Sequence, residues 1–313
     1  MTQTNLFEPR FQNADKAREY LEALHWPHGP VCPHCGSADD QKRLKGSKHR
    51  PGLVQCNSCR KQYTVTVGTV FERSKVPLNK WLLATHLMCA SKKGMSAHQL
   101  HRMLGVTYKT AWFMAHRIRE AMKADGGPMG GPGSDVEADE TYYGKDKTKP
   151  QSRMAIRNMN RIVSLIDRKT GRSTSIVFNG SFSADDIGAY LFTNVDRRSR
   201  LLTDDNKAYR RPGQEFAKHV WVNHTQDEYV SASDTTAHTN TVEGFFGIFK
   251  RGMRGIYQHC GQNHLHRYLA EFDFRYSNRS ALGIEDHERA DIALKGIVGK
   301  RLTYRRTGEA LAA

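Results

Sequence analysis

The sequence predicts an α/β protein: a mixed five-stranded sheet with flanking helices, preceded by a small cysteine-bearing unit and a helical segment. Three observations carry this expectation. Between Asp135 and Val222, β-rich runs alternate with helical periodicities in the order three strands, helix, strand, helix, strand. Two Cys-x-x-Cys pairs stand upstream of that region. A stretch dense in glycine and proline, Ala124 to Gly133, divides the two parts.

The bulk numbers narrow the partners. With 48 Lys plus Arg against 32 Asp plus Glu, the chain of 313 residues carries a formal charge of +16, which favours a polyanion, and nucleic acid is the leading candidate. No apolar run reaches the length of a membrane span, because Trp81 to Ala90 is short and broken by Thr85 and His86. Met1 to Phe11 lacks an apolar signal core, so a cytoplasmic protein is expected. In that reducing compartment six cysteines do not read as a disulfide framework, and their spacing has to explain them.

Asp15 to Leu24 has helical spacing of Ala17, Tyr20, Leu21 and Leu24, with Asn13 or Asp15 as cap. Cys32 and Cys35 form the first knuckle and, after twenty residues, Cys56 and Cys59 form the second. That is the spacing of a closed, structural Cys₄ Zn²⁺ site. Lys42, Arg43, Lys45, Lys48 and Arg50 make a basic tip between the knuckles, and the β-rich Gln62 to Thr69 completes a zinc ribbon within residues 1–74. Residues 75–124 read as three helices. The second opens at Ser96 and breaks at Gly105, and the third is capped by Thr107 and runs from Tyr108 to about Met122. This is a helix-turn-helix pattern, with Tyr108, Lys109, Thr110, His116, Arg117 and Arg119 on the recognition helix and Ala111, Trp112, Met114, Ala115 and Ile118 in its core.

Residues 125–134 read as a linker, and 135–280 as the large domain. Its strands are expected at Asp135 to Tyr143, Ile162 to Asp167, Ser173 to Phe178, Ser199 to Thr203 and His219 to Val222. A basic loop with Lys145, Lys147, Lys149, Arg153, Arg157 and Arg161 follows the first strand. Helices are expected from Ser183 to Val195, from Ala208 to Ala217 and from about Asn240, with another at His264 to Asn278. This order is that of a ribonuclease-H-like sheet, in which the first and fourth strands are neighbours. Asp139 and Asp204, 65 residues apart, then face each other. Two close carboxylates stay ionised together only beside a cation, most naturally Mg²⁺ or Mn²⁺, and a pair of such ions about 4 Å apart suits phosphodiester chemistry. Glu137, Glu140 and Asp205 read as ordinary turn or cap residues.

A third ligand is expected at Asn240 or Glu243, which share one face of the helix that Gly247 and Lys250 continue. Chemistry favours the carboxylate; the competing reading makes Asn240 and Glu243 a capping box. Val242, Phe245, Phe246 and Phe249 form a separate apolar stripe. Lys250 and Arg251, and the basic C-terminal segment 281–313 with Lys300 to Arg306, are candidate phosphate contacts.

These residues carry a resemblance that spans nearly the whole chain. Trp26 to Cys35, Cys56 to Cys59 with Gly68 to Phe71, Ala138 to Tyr142, Thr203-Asp204, His238 to Phe245, Lys250 to Gly252 and Phe272 to Arg279, in this order, resemble bacterial insertion-sequence transposases with an N-terminal zinc ribbon and a DDE-type, often Asp-Asp-Asn, catalytic domain. The resemblance implies that Asp139 and Asp204 are catalytic and that Asn240 is the third residue. It also implies that the substrate is the terminal inverted repeats of a mobile element, cut with Mg²⁺ and joined to target DNA by a homo-oligomer. An Asn in third place leaves the role of Glu243 open. The competing functions are a DNA-binding regulator with an idle nuclease site and a ribonuclease-H-like nuclease without strand transfer.

Overall fold

The computed structural model describes residues 6–124, 126–146, 158–178, 182–222 and 234–303, which gather into two compact units, 6–122 with 284–303 and 123–283. Of the expected basic contacts, Lys147, Lys149, Arg153, Arg157 and Tyr304 to Arg306 lie outside the described residues.

The first unit opens with helices α1 (Pro9–Gln12) and α2 (Ala14–His25). Asn13 accepts from the backbone N–H groups of Asp15 and Lys16 and so caps α2, as its position before the apolar spacing predicts. Strands β1 (Gln41–Arg43), β2 (Val54–Cys56) and β3 (Gln62–Tyr63) form a small antiparallel sheet. The expected strand to Thr69 stops at Tyr63, because Thr64 to Thr69 fold into turns held by Val67 N–H to Thr64 O and Thr69 N–H to Thr66 O. Three helices follow: α3 (Leu78–Ala90), α4 (Ala97–Leu104) and α5 (Tyr108–Met122). The Ser96 hydroxyl accepts from Gln99 N–H at the start of α4. Gly105, at φ 58°, ends α4, and Thr107 accepts from Thr110 N–H at the start of α5. The sequence therefore writes both edges of this turn.

The C-terminal residues correct one expectation. Instead of a merely basic segment, Asp286–Lys295 is a helix of this same unit that packs along α3, and Thr69 and Val298 form a β-bridge. Ala290, Ala293, Leu294 and Ile297 are buried at helical spacing, a narrow stripe that the surrounding charges obscure.

The second unit is a sheet with strands β4 (Asp135–Lys145), β5 (Met159–Asp167), β6 (Ser173–Phe178), β7 (Arg200–Asp204) and β8 (Lys218–Val222). Helices α6 (Ala184–Asn194) and α7 (Lys207–Gly213) lie between its later strands, and α8 (Asn240–Gly252) and α9 (Leu265–Ser277) follow them; the helix at Asp286–Lys295 becomes α10. The spatial order is β6-β5-β4-β7-β8, antiparallel for the first three and parallel from β4 to β8. This is the expected ribonuclease-H-like mixed sheet with flanking helices.

Alternation along each strand separates two cores. Val136, Ala138, Val163 and Leu165 pack with Ile187, Leu191 and Tyr209 of α6 and α7, while Ile162 and Ile166 pack with Val242, Phe245, Phe249 and Phe272 of α8 and α9. The glycine-rich run before β4 is packed into this unit and is no free linker. Met129 is buried, and Gly131 N–H donates to the Ser199 hydroxyl. At Gly130, with φ 88°, a Cβ would stand 2.2 Å from the Ser199 Oγ, so glycine serves close approach there rather than flexibility.

Candidate active site and zinc centre

Parallel pairing places Glu137 beside Leu202, so the same register, two residues on, brings Asp139 level with Asp204 at the end of β7. Carboxylate oxygens of Asp139, Glu140 and Asp204 all lie within 4.8 Å of one another. Glu140 corrects the sequence reading, which gave it an ordinary structural role. Its two oxygens accept from the Asn206 amide at 2.6 Å and the Tyr209 hydroxyl at 2.9 Å, and Asn206 N–H in turn donates to Asp204 at 3.2 Å. The loop after β7 and the start of α7 thus hold the second acid of the pair Asp139-Glu140 against the third.

The electrostatics are those of a site that wants a cation. Burial, then the charges of Asp204 and Glu140, push Asp139 up to about 8, and burial and Asp204 push Glu140 up to about 7. Near neutral pH this cluster therefore retains protons that a divalent ion would displace. The all-carboxylate donor set suits a hard cation such as Mg²⁺.

Asn240 and Glu243 are both exposed in the first turns of α8. The capping box is not formed: Thr239 occupies the N-cap, supplies no side-chain cap, and donates its hydroxyl to Glu243 at 2.9 Å. Glu243 lies outside the three-carboxylate group, yet its charge contributes to raising Asp139. Further along α8, half-buried Lys250 is lowered by burial and by Arg254, with Asp139 acting the other way. Asp139 thus feels both charged positions of this helix face, Glu243 and Lys250. Arg251 is exposed and donates to Gly247 O.

The cysteine knuckles meet as their spacing predicts. Sulfurs of Cys32 and Cys59, and of Cys35 and Cys56, are 3.7 Å apart. The edge of a tetrahedron built on Zn–S bonds of about 2.3 Å is roughly 3.8 Å, so the four thiols fit Zn²⁺ with no position left for a reactant. Cys56 is drawn down to about 6, first by the backbone hydrogen bond from Cys59 and then by the Gln41 amide.

The basic tip residues Lys42, Arg43, Lys45, Lys48 and Arg50 are exposed; Arg43 also pairs with Glu22 at 2.7 Å. Tyr108 is exposed and stacks on His98 with ring centroids 4.3 Å apart; Lys109 is exposed and Thr110 half-buried at the start of α5. Arg117 is different. It donates to Leu302 O and Glu72 O, both at 3.2 Å, while His116 and Arg119 are fully buried. Helical position alone could not show that these three point into the protein.

In class, two separate stretches of this chain are similar to transposase domains. Residues 12–62 match the transposase zinc-ribbon domain and residues 129–277 match the ISXO2-like transposase domain, in the order the motifs predict. A relative from Halobacterium salinarum, described as an uncharacterized protein in transposable element ISH50, is 27% identical over 283 residues, covering 85% of this chain and 91% of its own length. Among the described residues no helix is long and apolar enough to cross a membrane.

Proposed function

We propose that this protein is the transposase of an insertion sequence. It binds the element's terminal inverted repeats as a homo-oligomer on double-stranded DNA in the cytoplasm, cuts strands at the ends with Mg²⁺, and joins the freed 3′-hydroxyls to target DNA. The observation that carries the reading is the convergence of Asp139 and Glu140, in the interior of β4, with Asp204 at the end of the neighbouring parallel strand β7, inside residues that match a transposase domain.

Asp139 and Asp204 would hold the metal, with Asn240 or Glu243 of α8 as the third arm and Glu140 beside them. Bound there, Mg²⁺ supplies activation of a water or 3′-hydroxyl and neutralisation of the leaving oxygen. Asp139 and Glu140, raised to about 8 and about 7, would have to be deprotonated to hold the ion, and the Asn206 and Tyr209 donors keep Glu140 turned toward Asp204. Lys250 and Arg251 offer cations beside the site for phosphates. The zinc-ribbon tip, together with Tyr108, Lys109 and Thr110 on α5, supplies end contacts; Arg117 is tied into the fold and keeps at most a supporting role.

The test is direct. Purified protein with Mg²⁺ and DNA carrying the element's own ends gives nicked and joined products; Asp139→Ala and Asp204→Ala abolish both while end binding persists. Unchanged cleavage by either variant would sink the site. Wild-type protein that binds the ends and never nicks them would leave the regulator reading.

A further inference from the structure

Helix α8 carries the third arm of the proposed site, yet it has no side-chain cap of its own, since Thr239 provides none. The first-turn N–H groups of a helix need acceptors from outside its own ladder. One comes from 105 residues earlier: Glu137, fully buried on β4, accepts from Val242 N–H at 2.8 Å. The other oxygen of Glu137 accepts from Arg168 Nε at 2.5 Å. The same guanidinium donates to Thr236 O at 2.6 Å and, through its other nitrogen, to His238 O at 2.8 Å and His238 Nδ1 at 2.6 Å. A guanidinium has no acceptor, so this last contact requires Nδ1 unprotonated. One buried carboxylate and one arginine thus fix the backbone from Thr236 to Val242.

Glu137 lies two residues before Asp139, on the same face of β4. The bond to Val242 therefore ties the start of α8, with Asn240 and Glu243, to the strand that presents Asp139. We infer that Glu137 and Arg168 are positioning residues that set the third arm of the site relative to Asp139 and Asp204. This inference rests on the reading that α8 completes the site. Neither residue touches the reacting atoms; they act through the placement of α8. A negative charge at a helix N-terminus is also favourable, so the fully buried Glu137 is stabilised by the helix it holds.

The test uses the full-length, zinc-loaded chain and Mn²⁺ as the probe. Mn²⁺ binding is followed by electron paramagnetic resonance, and backbone exchange over residues 236–246 by hydrogen–deuterium exchange. Glu137→Gln keeps an acceptor but turns an amide toward Arg168; Arg168→Lys keeps a charge and loses the fork. Each is expected to weaken Mn²⁺ binding about 10- to 100-fold, as loss of groups that orient metal ligands does, and to speed exchange at 240–243 with the rest of the sheet unchanged. In the double variant with Glu243→Ala or Asn240→Ala, whichever single variant weakens the metal, little further loss is expected, because both changes act through one arm.

Should Glu137→Gln fail to fold, Arg168→Lys, nearer the surface, carries the test. Unchanged Mn²⁺ affinity and unchanged exchange in Arg168→Lys would overturn the inference, as would fully additive losses in the double variant. If Asn240→Ala and Glu243→Ala also leave Mn²⁺ affinity intact, the reading of α8 as third arm is what fails, and the positioning role goes with it. If those two weaken the metal and the Glu137 and Arg168 variants do not, the positioning inference alone is refuted.

Discussion

Replacing Asp139 with asparagine should make the metal-free protein more stable while abolishing the proposed strand cleavage. Asp139 is raised from an ordinary 3.8 to about 8 by burial and by the neighbouring carboxylates. The sign follows from linkage: a raised carboxyl contributes stability that is fully present below about pH 4, is lost progressively as pH rises, and is gone above about pH 8. At 1.36 kcal/mol per pH unit the full interval is an upper bound of roughly 6 kcal/mol. Asp139, Glu140 and Asp204 are only half-buried, so solvent screening reduces this and about 2 kcal/mol is the expected size. For a domain the size of residues 123–283, about 2 kcal/mol corresponds to roughly 4–8 °C in Tm.

An asparagine at this position cannot ionise and removes the penalty. Differential scanning calorimetry of the zinc-loaded chain in Mg²⁺-free buffer should therefore show Asp139→Asn melting above wild type at pH 8.5, with the gap shrinking toward pH 5. Added Mg²⁺ should raise the wild-type transition and leave the variant little changed, because only a carboxylate gains from the ion. A variant that melts lower than wild type at pH 8.5, or a gap that does not vary with pH, would refute the claim that repulsion and burial dominate at Asp139.

Three further outcomes are expected. Chelating zinc, or Cys32→Ser, should speed amide exchange across residues 41–63 and weaken end binding, because the ribbon's own core of Cys32, Val54, Cys56 and Tyr63 is too small to hold without the ion; unchanged exchange after chelation would contradict this. Lys109→Ala should lower the slope of log affinity against log salt by about one in end-binding titrations, whereas Arg117→Ala should lower Tm and leave that slope alone; the reverse pattern would exchange their roles. Isothermal titration of Mg²⁺ in buffers of different ionisation heat should show proton release that is largest near neutral pH and fades above pH 8, since Asp139 and Glu140 are held at about 8 and about 7; release independent of pH would count against both.

Much of this was legible in the sequence, for local reasons. Asn13, Ser96, Gly105 and Thr107 announce helix ends because capping is a short-range effect, and all four act as they read. The β4 to β7 adjacency followed from element order, since parallel strands with helical crossovers admit few arrangements. What stayed hidden is tertiary. The stripe Ala290, Ala293, Leu294 and Ile297 is too thin among charges to declare itself until α3 covers it. Gly130 has the composition of a linker, and only the Ser199 side chain against its backbone shows why no Cβ is tolerated there. Arg117 and Lys109 look alike on a helical wheel, but backbone carbonyls from residues 72 and 302 capture the first.

Three of the four acids of β4, Glu137, Asp139 and Glu140, show how far residue type underdetermines role. Glu137 and Asp139 share a face by strand alternation, and Glu140 should point away from both. Glu137 nevertheless meets an arginine and a helix N–H, so it ends as a buried, fully partnered carboxylate. Asp139, one alternation further, is raised by burial and by neighbouring carboxylates, and its neighbour's N–H donates to it. Glu140, on the other face, reaches the same cluster because Asp204 stands at the very end of β7, where the strand stops separating the faces, and because Asn206 and Tyr209 draw it there. Sequence spacing supplied the carboxylates; which of them remains short of partners, and is therefore free to bind a cation, is decided by what α7 and α8 bring to the strand end.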